Sequence, residues 1–193
     1  FSSRGGHSSV VFNNKLWVIG GIATSSDIWN TTDGKNWVRV TNNAAFGSRG
    51  GHATIVFKNR LWVIGGIYVD DENTFHSLSD VWHSGDGKNW KMAVDETSFF
   101  AGGGHSVVAF ADEIWVIGGV RKSGAINRST DGIHWDQFEE FGDFGERVSH
   151  SCVVFGNDIW IIGGYDGSGH KNDIWYFSDN KDENKLSMSE VVK

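Results

Sequence analysis

Three arginines occupy the same position in a segment that recurs along the sequence. Arg4, Arg49 and Arg147 each stand three residues before a histidine, and the third copy of the segment has a glycine there. A guanidinium presents a planar fork of N–H donors that matches a carboxylate or a phosphate. If the fold brings these side chains together, they could bind an anionic ligand. In the alternative interpretation, each pairs with a loop carboxylate such as Asp143 or Glu146.

The histidines of the four copies are also in register, at His7, His52, His105 and His150, with steps of 45, 53 and 45 residues. A ring of imidazoles could bind a transition metal. We favour the simpler interpretation, in which each histidine forms a hydrogen bond to the neighbouring repeat. The acidic run at 70–73 has hard oxygen ligands but lacks the spacing of a calcium loop. We therefore expect no metal and no cofactor.

Catalytic motifs are missing from the sequence. It contains no glycine-rich phosphate loop, no HExxH motif and no CxxC motif. The single cysteine, Cys152, lies in an apolar stretch, where a buried small hydrophobic residue is a better interpretation than a nucleophile. We expect no catalytic residue, and the chain is more consistent with a binding protein than with an enzyme.

The recurring segment reads RGGHSSVVFNNKLWVIGG in its first copy. In every copy a Phe follows the His by five residues, a Trp follows it by ten, and a Gly-Gly pair follows it by thirteen and fourteen. A period of this length is typical of propellers and other repeat architectures.

Each repeat predicts a four-stranded antiparallel sheet. Asn13-Asn14 favours a tight turn between two strands, and the second strand, residues 16–19, is apolar on both sides of its alternation. A third strand near 27–29, an Asp-Gly turn and a fourth strand from Trp37 complete the unit. Because the second strand has no polar face, we expect each sheet to pack between two others, as in an all-β propeller.

We expect one domain of four blades. Their approximate limits are 1–45, 46–98, 99–143 and 144–193. The fourth blade has Glu183 where the others have a Trp, so its outer strand is expected to be degenerate, with 186–192 as the only segment that could supply it. The array could be a closed ring, a fragment of a larger propeller, or half of an assembly of two copies.

These features resemble kelch repeats over the chain as far as about residue 180. The resemblance rests on the His, the apolar second strand ending in Gly-Gly, the Asp-hydrophobic-aromatic third strand and the Trp eight residues later. The turns typified by residues 129–135, STDGIHW, partly resemble the Asp-box hairpins of sialidase-type propellers. The kelch resemblance implies that ligands bind where the loops between strands two and three, and between successive blades, emerge. In animal kelch-type adaptors, arginines at the corresponding place bind acidic peptide segments.

Several loop residues on that face are candidates for binding. They are Tyr68, Phe75 and His76 in the long second loop, 67–79, with Arg121 in the third loop and Tyr165 in the fourth. Together with the three in-register arginines, they form the predicted ligand-binding set.

The net charge of −7 argues against nucleic acid and anionic membranes as partners. Apolar runs of five or six residues are too short to span a bilayer. We therefore expect a non-catalytic binding or scaffold module whose partner is a protein or peptide, with an acidic segment as one candidate. The alternative is a carbohydrate-directed propeller, either a lectin or a sialidase- or epimerase-like protein, that grips an acidic sugar with the arginines. The sequence predicts no cellular compartment.

Overall fold

A computed structural model of the chain describes residues 1–22, 26–97, 102–119, 126–138, 144–180 and 185–191. In this part of the chain all regular structure is β, and no helix is long and apolar enough to cross a membrane. The strands are β1 Ser8–Phe12, β2 Lys15–Ile19, β3 Ile28–Thr31, β4 Val38–Thr41, β5 Ala53–Phe57, β6 Arg60–Val69, β7 Phe75–Ser84, β8 Lys91–Val94, β9 Ser106–Phe110, β10 Glu113–Ile117, β11 Ile126–Ser129, β12 Asp136–Phe138, β13 Ser151–Phe155, β14 Asp158–Tyr165, β15 His170–Asn180 and β16 Lys185–Glu190.

The strands form four antiparallel sheets, each made of four consecutive strands in sequence order. This confirms the predicted unit. The fourth sheet is complete as well, because β16 pairs with β15 even though the expected Trp is replaced by Glu183. Its outer strand, Lys185–Glu190, begins one residue before the segment that the sequence left available.

The first two strands of each sheet are joined by the tight turns that the sequence predicts. Asn13 and Asn14 have φ values of 49° and 56°, and Lys58 and Asn59 have values of 46° and 57°. Two successive residues with positive φ define the turn whose twist matches that of the flanking strands. Asn tolerates this conformation because its short side chain can form local hydrogen bonds.

The recurrent spacing of Phe and Trp has a direct structural cause. Across the turn, the Trp17 indole N–H donates to the carbonyl of Phe12 at 2.9 Å, and Trp62 donates to Phe57 at 3.0 Å. The third and fourth sheets repeat this bond at 3.1 Å and 3.2 Å. The indole therefore satisfies its polar N–H at the hairpin while its rings remain available for packing.

The chain divides into two compact units, Phe1–Gly103 and Gly104–Lys193, each containing two sheets. In the first unit, Ile19 of β2 and Leu61 and Val63 of β6 belong to one buried cluster. In the second, Ile117 of β10 clusters with Ile159 of β14. Within each unit the core thus lies between two sheets, as expected for strands with apolar residues on both faces.

Backbone hydrogen bonds join consecutive sheets at the Gly-Gly pairs. In the first unit, the Gly21 N–H donates to the carbonyl of Arg49 at 2.9 Å. In the second, the Gly119 N–H donates to the carbonyl of Arg147, also at 2.9 Å. The second glycine of the pair thus serves as a donor to the following sheet.

In each unit, the first glycine of one Gly-Gly pair makes room for a histidine. A Cβ added at Gly20 would lie 2.9 Å from Cε1 of His52, and one added at Gly118 would lie 2.6 Å from Cε1 of His150. His52 also bonds to the preceding sheet, with 2.8 Å between its Nε2 and Oγ of Ser8. For His52, the predicted inter-repeat hydrogen bond is confirmed.

Replacing Gly118 by Ala is expected to destabilise the chain far more than replacing Gly156 by Ala. Both glycines have φ near +65°, but a Cβ at Gly118 would lie 2.3 Å from the carbonyl oxygen of Arg147, whereas a Cβ at Gly156 meets nothing within 4 Å. Backbone strain is common to both variants at about 1–2 kcal/mol. Steric conflict should lower the free energy of unfolding by a further ~1–3 kcal/mol in Gly118→Ala only. Urea unfolding measures the difference, and equal losses would contradict the packing role of Gly118.

Candidate functional site

A buried ion pair holds each of the three in-register arginines. Nη1 of Arg49 lies 2.6 Å from Oδ1 of Asp80, and Nη2 lies 2.8 Å from Oδ2, so the pairing is bidentate. Nη1 also donates to the carbonyl of Gly65 at 3.0 Å, and Nη2 donates to that of Phe46. These acceptors satisfy a guanidinium that is almost completely removed from water.

The same clamp recurs in the first and fourth sheets. Arg4 binds both oxygens of Asp27, at 2.6 Å and 3.1 Å, and Arg147 binds those of Asp173, at 2.5 Å and 2.9 Å. The hydrogen bond from Arg147 outweighs burial and lowers the pKa of Asp173 below its usual range. The partner is the Asp of the Asp-hydrophobic-aromatic motif at the third strand, whereas the sequence suggested a loop residue such as Asp143 or Glu146. Asp143 lies outside the described residues.

The tryptophan of the third strand completes each clamp. Its indole N–H donates to the same carboxylate, as in the 2.7 Å bond from Trp82 to Oδ2 of Asp80. Trp29 and Trp175 make the equivalent bonds to Asp27 and Asp173. Since each guanidinium already has a carboxylate partner, an external anion would have to displace it.

Residues 67–79, which the sequence predicts to be a long loop, form largely a β-hairpin. β6 and β7 continue pairing beyond the Gly-Gly pair as far as Val69 and Phe75. We call residues 67–78 the Tyr68 arm. The repeat pattern predicts a loop between the second and third strands here, although Ile67, Tyr68 and Val69 favour a strand.

The turn of the Tyr68 arm is organised by Asp70. Oδ1 of Asp70 accepts the backbone N–H of Glu72 at 3.0 Å and that of Thr74 at 2.8 Å. Oδ2 lies 2.7 Å from Nε2 of His76, and the hydrogen bond with His76 lowers the pKa of Asp70. The His76 ring in turn stacks on Tyr68, with 4.7 Å between ring centroids. Two predicted site residues, Tyr68 and His76, are therefore in direct contact.

Phe75 projects from this arm into solvent, with 63% of its surface exposed. The exposed carboxylates of Asp71 and Glu72 lie at the turn, and those of Asp95 and Glu96 line a 290 Å³ cavity beside Ser77 and Leu78. The arm thus presents an exposed aromatic side chain, and acidic groups lie at its turn and beside its base.

A shorter arm in the second unit carries Tyr165, which is exposed and is paired across the strands with His170. The Tyr165 hydroxyl donates to the carbonyl of Gly167 at 2.8 Å. Asp166 accepts the N–H groups of Ser168 and Gly169 and pairs with Lys171 at 2.5 Å. The remaining predicted site residue, Arg121, lies outside the described part of the chain.

Another cavity lies at the opposite end of the strands, where sequence reasoning did not place a site. It has a volume of about 640 Å³ and is lined by Lys15, Trp17, Asn30 and Lys88 among others. The packing of Trp17 requires a glycine at position 87, since a Cβ there would lie 2.3 Å from the indole. The glycine of the Asp-Gly turn was the feature of the sequence that could have indicated close packing at this position.

The turns that resemble Asp boxes are structural. Oδ1 of Asp86 accepts the backbone N–H groups of Lys88 and Asn89, each at 2.8 Å, and Oδ2 accepts the Asn89 side chain. Burial alone would raise the pKa of Asp86, but these hydrogen bonds outweigh it and lower the pKa to about 2. Asp33 and Asp131 hold the equivalent turns in the same way.

No metal-binding cluster is evident in the described ranges. Among these residues there is no group of three or more His, Cys, Asp or Glu side chains that could hold a metal ion. Burial raises the pKa of the Cys152 thiol to about 12, which leaves it protonated and a poor nucleophile.

Comparisons with known proteins agree with this architecture. Residues 146–183 match the Kelch motif, and residues 31–144 match the DUF6242 beta propeller domain. A solved structure titled "Structure of YjhT" aligns with 99% of this chain at a TM-score of 0.83 and 14% sequence identity. The chain spans 65% of the length of that structure, slightly under two thirds. No curated protein matches.

The four sheets are therefore the blades of a kelch-type β-propeller, which confirms the resemblance found in the sequence. Because the family match covers more than half of its residues, the chain belongs to the DUF6242 beta propeller domain family.

Asp80→Asn is expected to cost about 3–5 kcal/mol of stability, because it leaves the buried Arg49 guanidinium without its counter-charge. Glu113→Gln is the matched control. Glu113 lies 3.5 Å from the more exposed Arg128, so its loss should cost less than about 1 kcal/mol. Urea unfolding of both variants tests the difference, and a mild effect of Asp80→Asn would show that the clamp is dispensable.

The stability of the chain should fall as the pH drops from about 4 to 2. The pKa of Asp86 in the folded chain, about 2, is below the unfolded value of about 3.9, so its contribution is present above the unfolded pKa and lost on acidification. Asp86→Ala should lower stability at pH 7 and flatten this acid-dependent loss. Urea unfolding between pH 2 and pH 7 measures both slopes. An unchanged slope in the variant would contradict the role of the carboxylate.

Proposed function

We propose that the chain is a non-catalytic binding module that recognises a protein or peptide partner with the end of the blades that carries the Tyr68 arm. The observation that supports this most directly is the arm itself, which presents exposed Phe75 and part-exposed Tyr68 on a hairpin fixed by Asp70 and His76. Aromatic side chains of this kind dominate the binding energy of many protein interfaces.

Preorganisation favours the arm over an ordinary loop. Three acceptor contacts of Asp70 close the turn, and the stacked Tyr68 and His76 rings brace the strands behind it. A surface that is already ordered loses less conformational entropy on binding. Tyr165 in the other unit lies on its own braced hairpin and is a separate candidate for binding.

The charges of this end favour a partner that is basic and apolar. Asp71, Glu72, Asp95 and Glu96 are exposed, whereas the guanidinium groups of Arg4 and Arg49 are occupied by Asp27 and Asp80. The acidic peptide expected from the arginine register would meet these carboxylates. Complementary charge accelerates association and selects partners, so we propose a Lys- or Arg-containing segment with an apolar anchor for Phe75.

The carbohydrate-directed alternative depends on the in-register arginines. An acidic sugar would have to displace Asp27, Asp80 or Asp173 from bidentate pairs. Nothing else in the described residues favours this reading, and we do not propose it.

Selection from a phage-displayed library of random peptides tests the proposed function. We expect the selected peptides to be rich in Lys or Arg together with a large apolar residue. Tyr68→Ala and Phe75→Ala should each weaken a selected peptide about tenfold or more. The control Met92→Ala removes an exposed apolar side chain from β8 of the same sheet and should leave binding unchanged. Fluorescence anisotropy of the labelled peptide gives the affinities.

Two results would overturn the proposal. One is a set of selected peptides whose binding is indifferent to both arm variants. The other is selection of acidic peptides that bind through the arginine clamps, which would restore the expectation from the sequence.

A further inference from the structure

The cavity that Lys15 lines lies on one face of the first blade. Lys15 and Trp17 are two residues apart on β2, Asn30 pairs with Trp17 from β3, and Val38 pairs with Asn30 from β4. Side chains two residues apart on a strand, or paired across strands, share a face of the sheet. All four residues line the cavity of about 640 Å³, which we call the Lys15 cavity.

The residue paired with the second-strand tryptophan differs between the blades. In the second, third and fourth blades a large side chain takes this position, with its ring centroid or its Cζ atom between 5.1 Å and 5.5 Å from the indole centroid. These side chains are His83, Arg128 and Tyr176. The first blade has Asn30 there, and this shorter side chain does not fill the space beside Trp17.

Lys15 differs from its counterparts in a similar way. In the other three blades, the residue two positions before the tryptophan has a side-chain partner on the third strand, at 2.5–3.5 Å. The pairs are Arg60–His83, Glu113–Arg128 and Asp158–Ser178. The Lys15 ammonium group has no hydrogen bond or ion pair with any residue that the structure describes.

The amide of Asn30 is also unpaired. Asn30 is only 7% exposed, and within the described ranges its side chain makes no hydrogen bond. Burying an amide costs free energy unless the group is hydrogen-bonded. Because Asn30 lines the Lys15 cavity, its amide can bond to a molecule that enters there.

The second blade adds positive charge to the Lys15 cavity. Lys88 lines it from the turn after β7 and forms no ion pair with a described residue. Asp86 also lines the cavity, but its carboxylate already accepts the Ser84 hydroxyl, two backbone N–H groups and the Asn89 side chain. The lysine charges are therefore not neutralised by this carboxylate.

This end of the first unit is positive beyond the Lys15 cavity. An adjoining cavity of about 380 Å³ shares Gly85 and Asp86 with it and is lined by Arg60, His83 and Lys91. Burial, followed by the charges of Arg60 and Lys91, lowers the pKa of His83. A cleft lined by one sign of charge attracts ligands of the opposite sign.

We propose that the Lys15 cavity binds a small organic anion in which a carboxylate or a phosphate is attached to an apolar ring. The ammonium groups of Lys15 and Lys88 bind the acidic group, and Asn30 bonds to it. Val38, which is 61% exposed, contacts the ring. The cavity volume lies within the range of about 300–1,000 Å³ that is usual for small-molecule sites. The Tyr68 arm lies at the other end of the strands, so this inference is independent of the proposed function.

Isothermal titration calorimetry with two acids, naphthyl phosphate and naphthoate, tests the proposal. Inorganic phosphate, which lacks the ring, and naphthylmethanol, which lacks the charge, are the control ligands. We expect at least one acid to bind with a Kd of about 1 mM or tighter, and both controls to bind about tenfold more weakly or less. The acid that binds more tightly identifies the acidic group. Binding of neither acid, or of a control as tightly as the acids, would overturn the proposal.

Substitutions locate the bound acid. Lys15→Met keeps the aliphatic stem and should weaken binding about tenfold or more, because it removes a charged partner. Asn30→His gives the first blade the residue of the second, which should fill the space beside Trp17 and weaken binding at least as much. The matched control is Lys35→Met, because Lys35 is an exposed lysine of the same blade that does not line the cavity. It should change the Kd by less than about twofold.

Thermal unfolding of each variant separates binding from folding. Lys15→Met and Lys35→Met should keep Tm within about 2 °C of the parent chain, because neither lysine has an ion pair to lose. If Asn30→His does not fold, Lys15→Met and its control decide the result alone. Unchanged affinity in Lys15→Met would show that the acid binds elsewhere, which contradicts the proposal.

Discussion

The structure depends on packing the apolar faces of neighbouring sheets against each other. Strands β2, β6, β10 and β14 carry apolar residues on both sides, and within each unit these residues form a core between two sheets. Close approach within each unit is possible because a Gly-Gly pair lies at the second strand of the first of its two blades, where the next blade places a histidine ring and a backbone carbonyl. The Gly-Gly pair is thus a packing device, and its repetition explains the regularity of the chain.

A second consequence concerns the polar residues of the repeat. The arginine, the third-strand aspartate and the following tryptophan form one clamp that recurs in three blades. Burying a guanidinium is costly unless its charge and its hydrogen bonds are both satisfied, and here a carboxylate and backbone carbonyls satisfy them. Repetition of polar residues in register is therefore explained by the scaffold, without a shared ligand.

The candidates for function are therefore the parts of the chain that differ between blades. The Tyr68 arm is longer than its counterpart in the first blade, and its ring stack and turn are absent from the shared repeat. Its turn is held by contacts of Asp70 within the arm, so the turn can vary without disturbing the junctions between blades. A rigid scaffold that carries variable connections is a common arrangement in binding proteins.

The sequence by itself determined the elements of this protein. The alternation of apolar residues, the Asn-containing turns and the Phe–Trp spacing specify local hairpins, and hence four four-stranded sheets, because neighbouring residues supply the contacts involved. Only the tertiary structure decided the partners of side chains that are distant in sequence. Arg49 and Asp80 are 31 residues apart, and nothing local distinguishes Asp80 from the loop carboxylates as a partner. Likewise, the repeat pattern predicts a loop over 67–79, whereas pairing between β6 and β7 makes most of this segment a hairpin. The exposure of Phe155 could not be predicted from the sequence either, because its sequence context matches that of the buried Phe12. The two residues differ in whether another blade covers them.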